Sequence, residues 1–175
     1  MSRPTRISSP PRRSSSGQVH IHIDGAARGN PGPAGIGALL TDPSGRKLKE
    51  MAVYLGEATN NVAESCALIF ALQEASKRGS QEVVVFTDSE LLARQVTGDY
   101  RVKDKQLQWL HVLIRNLIQG FSRFEIHHVP REKNKQADRL ANRAVTEGLK
   151  RQAAPKPKLK PAATQPADSD QTTFW

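Results

Sequence analysis

Four acidic residues of this 175-residue chain lie near the ends of expected strands and helices, where side chains can project into a shared site. Asp24 ends an alternating stretch just before a Gly-rich segment, and Asp88 ends the apolar run EVVVFT. Glu64 and Asp138 each fall near the start of a stretch with helical character. Each acid alone has an ordinary explanation, as a turn residue, a helix N-cap or a first-turn acid that interacts with the helix dipole. Their shared placement favours a common site.

The chemistry of such a site follows from the charge of its members. Four carboxylates gathered at one point would repel one another and would be costly to bury unless cations joined them. Oxygen ligands of this kind suit Mg²⁺ or Mn²⁺, which keep coordination positions open for water and phosphate. Two such ions about 4 Å apart can activate a water and stabilise the leaving oxygen of a phosphodiester. The acids therefore form a candidate two-ion site for phosphodiester cleavage.

A folded α/β domain over residues 18–147 would bring these acids together. Strict alternation from Val19 to Asp24 predicts a half-buried strand with Asp24 on its polar face. The Gly- and Pro-rich segment that follows is expected to form turns instead of regular structure. Further strands are expected at 36–41, 46–55, 82–87 and 122–129, and helices at 62–78, 89–96, 104–119 and 134–147. This order predicts a mixed five-stranded sheet, with three antiparallel strands first and parallel additions later, flanked by helices.

The net charge of +9 is concentrated at the two ends of the chain. Residues 1–17 carry four arginines and no acid, and residues 148–175 carry five cations and two acids, so the part between them is nearly neutral. Both ends lack hydrophobic periodicity, and we expect disordered basic tails around a single domain. Such tails can add salt-dependent affinity for nucleic acid, or they can simply be solvated.

Cysteine content and hydropathy limit the cellular compartments in which we expect the protein. The single cysteine, Cys66, excludes an intrachain disulfide and a cysteine-cluster metal site. The chain has no run of about 18 apolar residues, so we expect no membrane span. Residues 1–17 superficially resemble an organelle transit peptide, but their three prolines argue against the amphipathic helix that such peptides need. We expect a cytoplasmic protein, with organelle targeting left open.

Four motifs carry a resemblance to a known family. They are IDGAARGNPGPAGIGALL at 23–40, TNNVAESCAL at 59–68, FTDSELLARQVTG at 86–98 and HVPREKNKQADRLANRA at 128–144. In this order they closely resemble the type 1 ribonuclease H family, and with the elements between them they cover residues 18–147. The resemblance implies a ribonuclease H-like fold. It also implies Mg²⁺-dependent endonucleolytic cleavage of the RNA strand of an RNA–DNA hybrid, which leaves 5′-phosphate and 3′-hydroxyl ends.

The resemblance also assigns a role to each of the four acids. It implies that Asp24 is shared between two Mg²⁺ or Mn²⁺ ions. Glu64 and Asp88 would hold the ion nearer the leaving oxygen, and Asp138 would hold the ion that activates water. The acids are thus expected to be both the metal ligands and the catalytic residues.

Residues that contact the hybrid are implied in the same way. Asn30, Asn60 and Asn61 match positions that reach base edges and 2′-hydroxyls in the minor groove, which is how a protein can distinguish RNA from DNA. Their alternative explanation is turn formation and helix capping, which asparagine does well. Thr59 is expected to touch a phosphate of the DNA strand.

The chain departs from the family pattern in two places. Many members have a catalytic histidine in a Gly-rich loop before the last acid, whereas this chain has the short loop VPREKN. Chains that resemble this one carry arginine there, so Arg131 is expected to act on the phosphate or to assist product release, and His127 and His128 are expected to be structural. The chain also lacks the basic protrusion that other members use to grip the DNA strand. Trp109, in the helix that follows, is expected to pack in the core or against a helix face.

Two other functional interpretations stay open. One is another nuclease or transferase of the same fold, such as a junction resolvase or an integrase core. The other is a hybrid-binding module that has lost catalysis. For all three interpretations we expect a monomer with no membrane association and no small-molecule cofactor.

Overall fold

The computed structural model describes residues 17–153. The expectations for residues 1–16 and 154–175 lie outside this part of the chain. The strands are β1 (Gln18–Ala27), β2 (Gly32–Thr41), β3 (Lys47–Ala58), β4 (Glu82–Thr87) and β5 (Arg123–His128). The helices are α1 (Asn60–Lys77), α2 (Glu90–Thr97), α3 (Lys105–Ile118) and α4 (Lys135–Ala153), with a single 3-10 turn at Arg131–Lys133. The expected element order is confirmed.

The five strands form one mixed sheet in the order β3-β2-β1-β4-β5. The pairs β1–β2 and β2–β3 are antiparallel, and the pairs β1–β4 and β4–β5 are parallel. The last pair in the β1–β4 register is Ile23 with Thr87. Asp24 and Asp88, the residues that follow this pair, therefore leave neighbouring strands at the same edge of the sheet.

The helices cover both faces of the sheet. Side chains alternate between faces along a strand, so the adjacent residues Asp24 and Gly25 point in opposite directions. A Cβ on Gly25 would meet the backbone of α1, whereas a Cβ on Gly37, which pairs with Asp24, would meet the backbone of α4. Helices α1 and α4 therefore lie on opposite faces. The core on the α1 side includes Ile21, Leu68, Val85 and Ile114.

The Gly-rich segment differs from the expectation of irregular turns. Strand β1 continues to Ala27 and β2 begins at Gly32, so only residues 28–31 connect them. A Cβ on Gly37 would lie 2.1 Å from the carbonyl oxygen of Ala137, and a Cβ on Gly35 would lie 2.8 Å from Cβ of Ala144. These distances are shorter than van der Waals contact. The glycines are therefore required by the close approach of α4 to the sheet, and most of them lie within strands.

Two further expectations from the sequence are wrong. Helix α4 continues to Ala153 instead of ending at Glu147, because Gly148 is an interior residue against which the Tyr54 ring packs and not a helix stop. The domain therefore extends at least six residues beyond the expected boundary. Trp109 is 76% exposed and does not pack into the core.

Side chains cap the first three helices. Thr59 accepts a hydrogen bond from the backbone N–H of Val62 at the start of α1, and Ser89 does the same for Leu92 in α2. Asp104 caps α3 in the same way. Among residues 17–153, no helix is long and apolar enough to cross a membrane.

Candidate active site

The four acids identified from the sequence lie together at one edge of the sheet. They line a cavity of about 330 Å³ whose other lining residues are Gly25, Ala26, Ala27, Asn60, Arg131 and Asn142. The structure thus brings together Asp24, Glu64, Asp88 and Asp138, which come from two strands and two helices. Their role as metal ligands stays a prediction.

Close backbone packing delivers the two helical acids to this edge. A Cβ on Gly25 would lie 2.2 Å from the backbone nitrogen of Glu64, so only glycine allows the first turns of α1 to come this near to β1. The contact between Gly37 and Ala137 does the same for α4, and Asp138 is the next residue. The glycines that flank Asp24 in the sheet therefore set the positions of the acids on the helices.

The clustered negative charge raises the pKa of the central acid. Burial is the main cause that brings the pKa of Asp24 to about 7, and the charges of Asp88, Asp138 and Glu64 raise it further. Burial also raises the pKa of Glu64, which hydrogen bonds from Ser89 and Asn60 oppose. At neutral pH the cavity therefore favours a bound proton or a bound cation over four bare charges.

Two neutral donors hold Glu64. The side-chain amide of Asn60 donates to Oε1 at 2.8 Å, and the hydroxyl of Ser89 donates to Oε2 at 2.5 Å. Ser89 was identified from the sequence only as the start of a helix. Its position directly after Asp88 was the signal that could have placed it in the site.

A buried asparagine holds Asp88. The Asn134 side chain is 1% exposed, and its Nδ2 donates to Asp88 Oδ1 at 2.8 Å and to the backbone carbonyl oxygen of Ile23 at 2.8 Å. In the sequence Asn134 is only the first residue of the helix expected at 134–147, so it was not identified as a site residue.

A cation already lies beside the fourth acid. The Arg131 guanidinium donates from Nη2 to Asp138 Oδ1 at 2.7 Å, across an ion pair whose arginine is 73% exposed. This bond is the main cause that raises the pKa of Arg131, and the charges of Asp24 and Asp88 add to it. Arg131 therefore partly neutralises the cluster from its solvent side.

The donor set of the cavity fits a hard divalent cation. All four acids present oxygen, which Mg²⁺ and Mn²⁺ prefer, and the charges of Asp88, Asp138 and Glu64 add to burial in raising the pKa of Asp24. Among residues 17–153, no three His, Cys, Asp or Glu side chains are arranged to hold an ion in the present conformation. Three of the acids instead bind Asn60, Ser89, Asn134 and Arg131, so a bound ion would compete with these contacts.

The residues expected to contact substrate lie beside the cavity. Asn30 is exposed on the 28–31 turn, and its Oδ1 accepts a hydrogen bond from the backbone N–H of Asn60 at 3.2 Å. Asn61 is exposed on the first turn of α1, which Thr59 caps. His127 stacks against Phe86 on β4 and does not line the cavity.

Comparison with known proteins gives a consistent family assignment. A family model described as "Reverse transcriptase-like" matches residues 22–144. Ribonuclease HI of Halobacterium salinarum is 42% identical over 142 residues, which cover 81% of this chain and 71% of that protein. A bifunctional protein of Mycobacterium tuberculosis is 42% identical over 149 residues, which cover 85% of this chain and 41% of that protein. The chain thus spans less than half of the mycobacterial relative.

Solved structures agree with these matches. The crystal structure of ribonuclease H1 from Halobacterium salinarum has a TM-score of 0.73 at 43% identity and covers 75% of this chain and 99% of that one. The LC11 ribonuclease H1, which was isolated from compost and solved with an RNA/DNA hybrid, has a TM-score of 0.72 at 44% identity. The match covers 75% of this chain and 99% of that one. A foamy virus protease–reverse transcriptase, at 22% identity and a TM-score of 0.59, shares the fold.

Proposed function

The chain belongs to the type 1 ribonuclease H family, and from this premise we propose that it hydrolyses the RNA strand of RNA–DNA hybrids as an endonuclease. The observation that carries the proposal is the convergence of Asp24, Glu64, Asp88 and Asp138 on one cavity. The hybrid bound to the LC11 relative supports the same substrate class. No step of the proposal depends on the parts of the relatives that this chain does not match.

The cofactor we propose is Mg²⁺ or Mn²⁺, with two ions per site. Asp24 would be shared between the two ions, as the resemblance to the family implies. Glu64 and Asp88 would hold one ion, and Asp138 would hold the other. When bound, such ions supply an activated water and stabilise the leaving oxygen, which yields 5′-phosphate and 3′-hydroxyl ends.

The chain's own residues have three tasks in this scheme. Asn60 and Ser89 orient Glu64 by the hydrogen bonds described above. Asn30, Asn60 and Asn61 lie at or beside the cavity, and in this proposal they contact the minor groove of the hybrid and distinguish RNA from DNA through the 2′-hydroxyl. Thr59, beside them, would contact a phosphate of the DNA strand.

Arg131 has a separate task. Its guanidinium lies next to Asp138 on the solvent side of the cavity, where a scissile phosphate would approach. A charge there can pair with a phosphate oxygen and can assist release of the new 5′-phosphate. We therefore propose that Arg131 acts on the phosphate, in place of the histidine that many family members carry.

A substrate panel tests this function. The full chain is incubated with end-labelled RNA–DNA hybrid, single-stranded RNA, duplex RNA and duplex DNA, each with Mg²⁺, with Mn²⁺ or with a chelator. We expect cleavage of the RNA strand of the hybrid alone, only with a divalent ion, and with 5′-phosphate products. Cleavage of duplex DNA would instead indicate another nuclease of this fold, and binding without cleavage would indicate a hybrid-binding module.

A further inference from the structure

Asn134 connects three elements at the floor of the candidate active site. It directly precedes α4, its side chain is buried, and its Nδ2 bonds both the end of β1 at Ile23 and the end of β4 at Asp88. These partners are 111 and 46 residues away in the sequence. Asn134 therefore links the orientation of Asp88, a candidate metal ligand, to the positions of α4 and β1.

The geometry of the amide makes this connection directional. An asparagine NH₂ group has two N–H bonds at a fixed angle in one plane. One of them donates to the carbonyl oxygen of Ile23, which is part of the sheet and cannot rotate. The other is thereby aimed at Asp88 Oδ1, so it fixes the rotation of that carboxylate and leaves the second oxygen for another ligand.

The opposite end of the amide needs a partner to keep this direction. Asn134 Oδ1 is buried and has no hydrogen-bond partner among the described residues. His22 lies on β1 and lines the same surface pocket as Lys133 and Lys135, the residues on either side of Asn134. An imidazole N–H of His22 is therefore the available donor for Asn134 Oδ1. If the amide rotated by half a turn, its oxygen would face the Asp88 carboxylate and the Ile23 carbonyl, which are both acceptors.

We propose that Asn134 is a positioning residue that holds Asp88 in the orientation required for metal binding, and that His22 fixes the direction of the Asn134 amide. The proposal rests on the metal site of the proposed function, but it concerns the binding of the ion and not the later hydrolysis. Asn134 touches no reacting atom in this arrangement.

The test measures Mn²⁺ binding to the full chain without substrate, by calorimetry and by the rise in melting temperature that the ion produces. Residues that orient a metal ligand typically contribute about 10–100-fold to metal affinity. We therefore expect Asn134→Ala and Asn134→Ser to weaken Mn²⁺ binding about tenfold or more. With hybrid, kcat should fall while KM stays within about twofold, because no substrate contact is lost.

A double-mutant cycle separates positioning from a general structural role. Asn134→Ala should weaken Mn²⁺ binding in the unmodified chain but should add no further weakening in an Asp88→Asn background. An equal loss in both backgrounds, or an unchanged Mn²⁺ affinity in the single variant, would overturn the proposal. Asn116→Ala, an exposed asparagine on α3, is the matched control and should change nothing.

His22 is tested with a pair of variants. His22→Gln keeps an N–H donor, whereas His22→Phe keeps a ring beside Phe86, on which His22 stacks, and removes the donor. We expect weaker Mn²⁺ binding for His22→Phe than for His22→Gln, and equal values would overturn the role of His22. If the unmodified chain binds Mn²⁺ with the expected coupling but cleaves no hybrid, the proposed function fails and this inference stands.

Discussion

The candidate active site and the glycine contacts beside it differ in packing, although both are built on the same strands. The site is an open cavity lined by acids, whereas the glycine contacts are close-packed. In the site, the charges of Asp88, Asp138 and Glu64 add to burial in raising the pKa of Asp24, and the four acids line a cavity. At Gly25 and Gly37, strand and helix backbones meet with no room for a methyl group. Asp24 is the chain neighbour of Gly25 and the strand partner of Gly37. Close contacts between strand and helix backbones on either side of Asp24 therefore hold the four acids at one edge of the sheet.

The largest effect should come from removing one of the four negative charges in the candidate active site. We expect Asp88→Asn to lower kcat at least about a thousandfold, because a metal ligand is lost, while hybrid binding survives. The same change should raise the melting temperature of the metal-free protein, because it removes repulsion. The measurements are single-turnover cleavage, hybrid binding and thermal unfolding, with Asp99→Asn on the exposed α2–α3 connection as control. Full activity in Asp88→Asn would refute the metal assignment.

The next largest effect should come from the close contact between Gly37 and helix α4. A methyl group at Gly37 would lie 2.1 Å from a backbone oxygen of α4, so Gly37→Ala must displace the helix. We expect a loss of about 3 kcal/mol in the free energy of unfolding, at the upper end of typical overpacking costs. Denaturant unfolding measures it, with Gly120→Ala, where the new methyl would lie 3.3 Å from its nearest neighbour, as the control. A loss in Gly37→Ala no larger than in the control would contradict the packing argument.

A smaller and opposite pair of effects is expected at Arg131. This exposed cation neutralises Asp138 in the absence of metal, and such pairs contribute about 0.2–1 kcal/mol. Arg131→Ala should therefore tighten Mn²⁺ binding by up to about fivefold, since the ion no longer competes with the guanidinium. Steady-state kcat should nevertheless fall, because the contact with the phosphate is lost. Arg131→Lys should lie between the two proteins, and weaker Mn²⁺ binding in Arg131→Ala would contradict the competition.

A dependence of stability on pH should come from Asp24. Its folded-state pKa of about 7 lies above that of the unfolded chain, so the folded protein holds a proton that unfolding releases. The stability of the metal-free protein should therefore fall as pH rises from about 4 to 7 and then level off. Melting temperature across this range measures the slope, which Asp24→Asn should flatten. Added Mg²⁺ should stabilise the protein more at pH 8 than at pH 6, since protons compete with the ion.

The elements and the four acids could be predicted because both depend on local patterns. Alternation fixed β1 up to Asp24, the run EVVVFT matched β4, and each acid lay at an element boundary. The family motifs then placed the acids in one fold. A short sequence pattern was sufficient because the parallel β1–β4 pair brings the two strand acids to one edge.

The remaining features depend on contacts between distant residues. Asn134 contacts Ile23 and Asp88, which are distant in the sequence, and no pattern in the neighbouring residues indicates that its side chain is buried. The prediction of turns is wrong for most of these glycines, because a glycine that makes room for a helix looks the same in sequence as one that bends a chain. The predicted end of the last helix before Gly148 is wrong for the same reason, since this glycine makes room for the Tyr54 ring on β3.

The exposure of Trp109 has a practical consequence for optical measurements. It is the only tryptophan among residues 17–153, and 76% of its surface already meets solvent. Its fluorescence spectrum should therefore shift little when the chain denatures, so circular dichroism is the better signal for melting curves. The same indole should report on anything that covers the outer face of α3, by a shift of its emission to shorter wavelength.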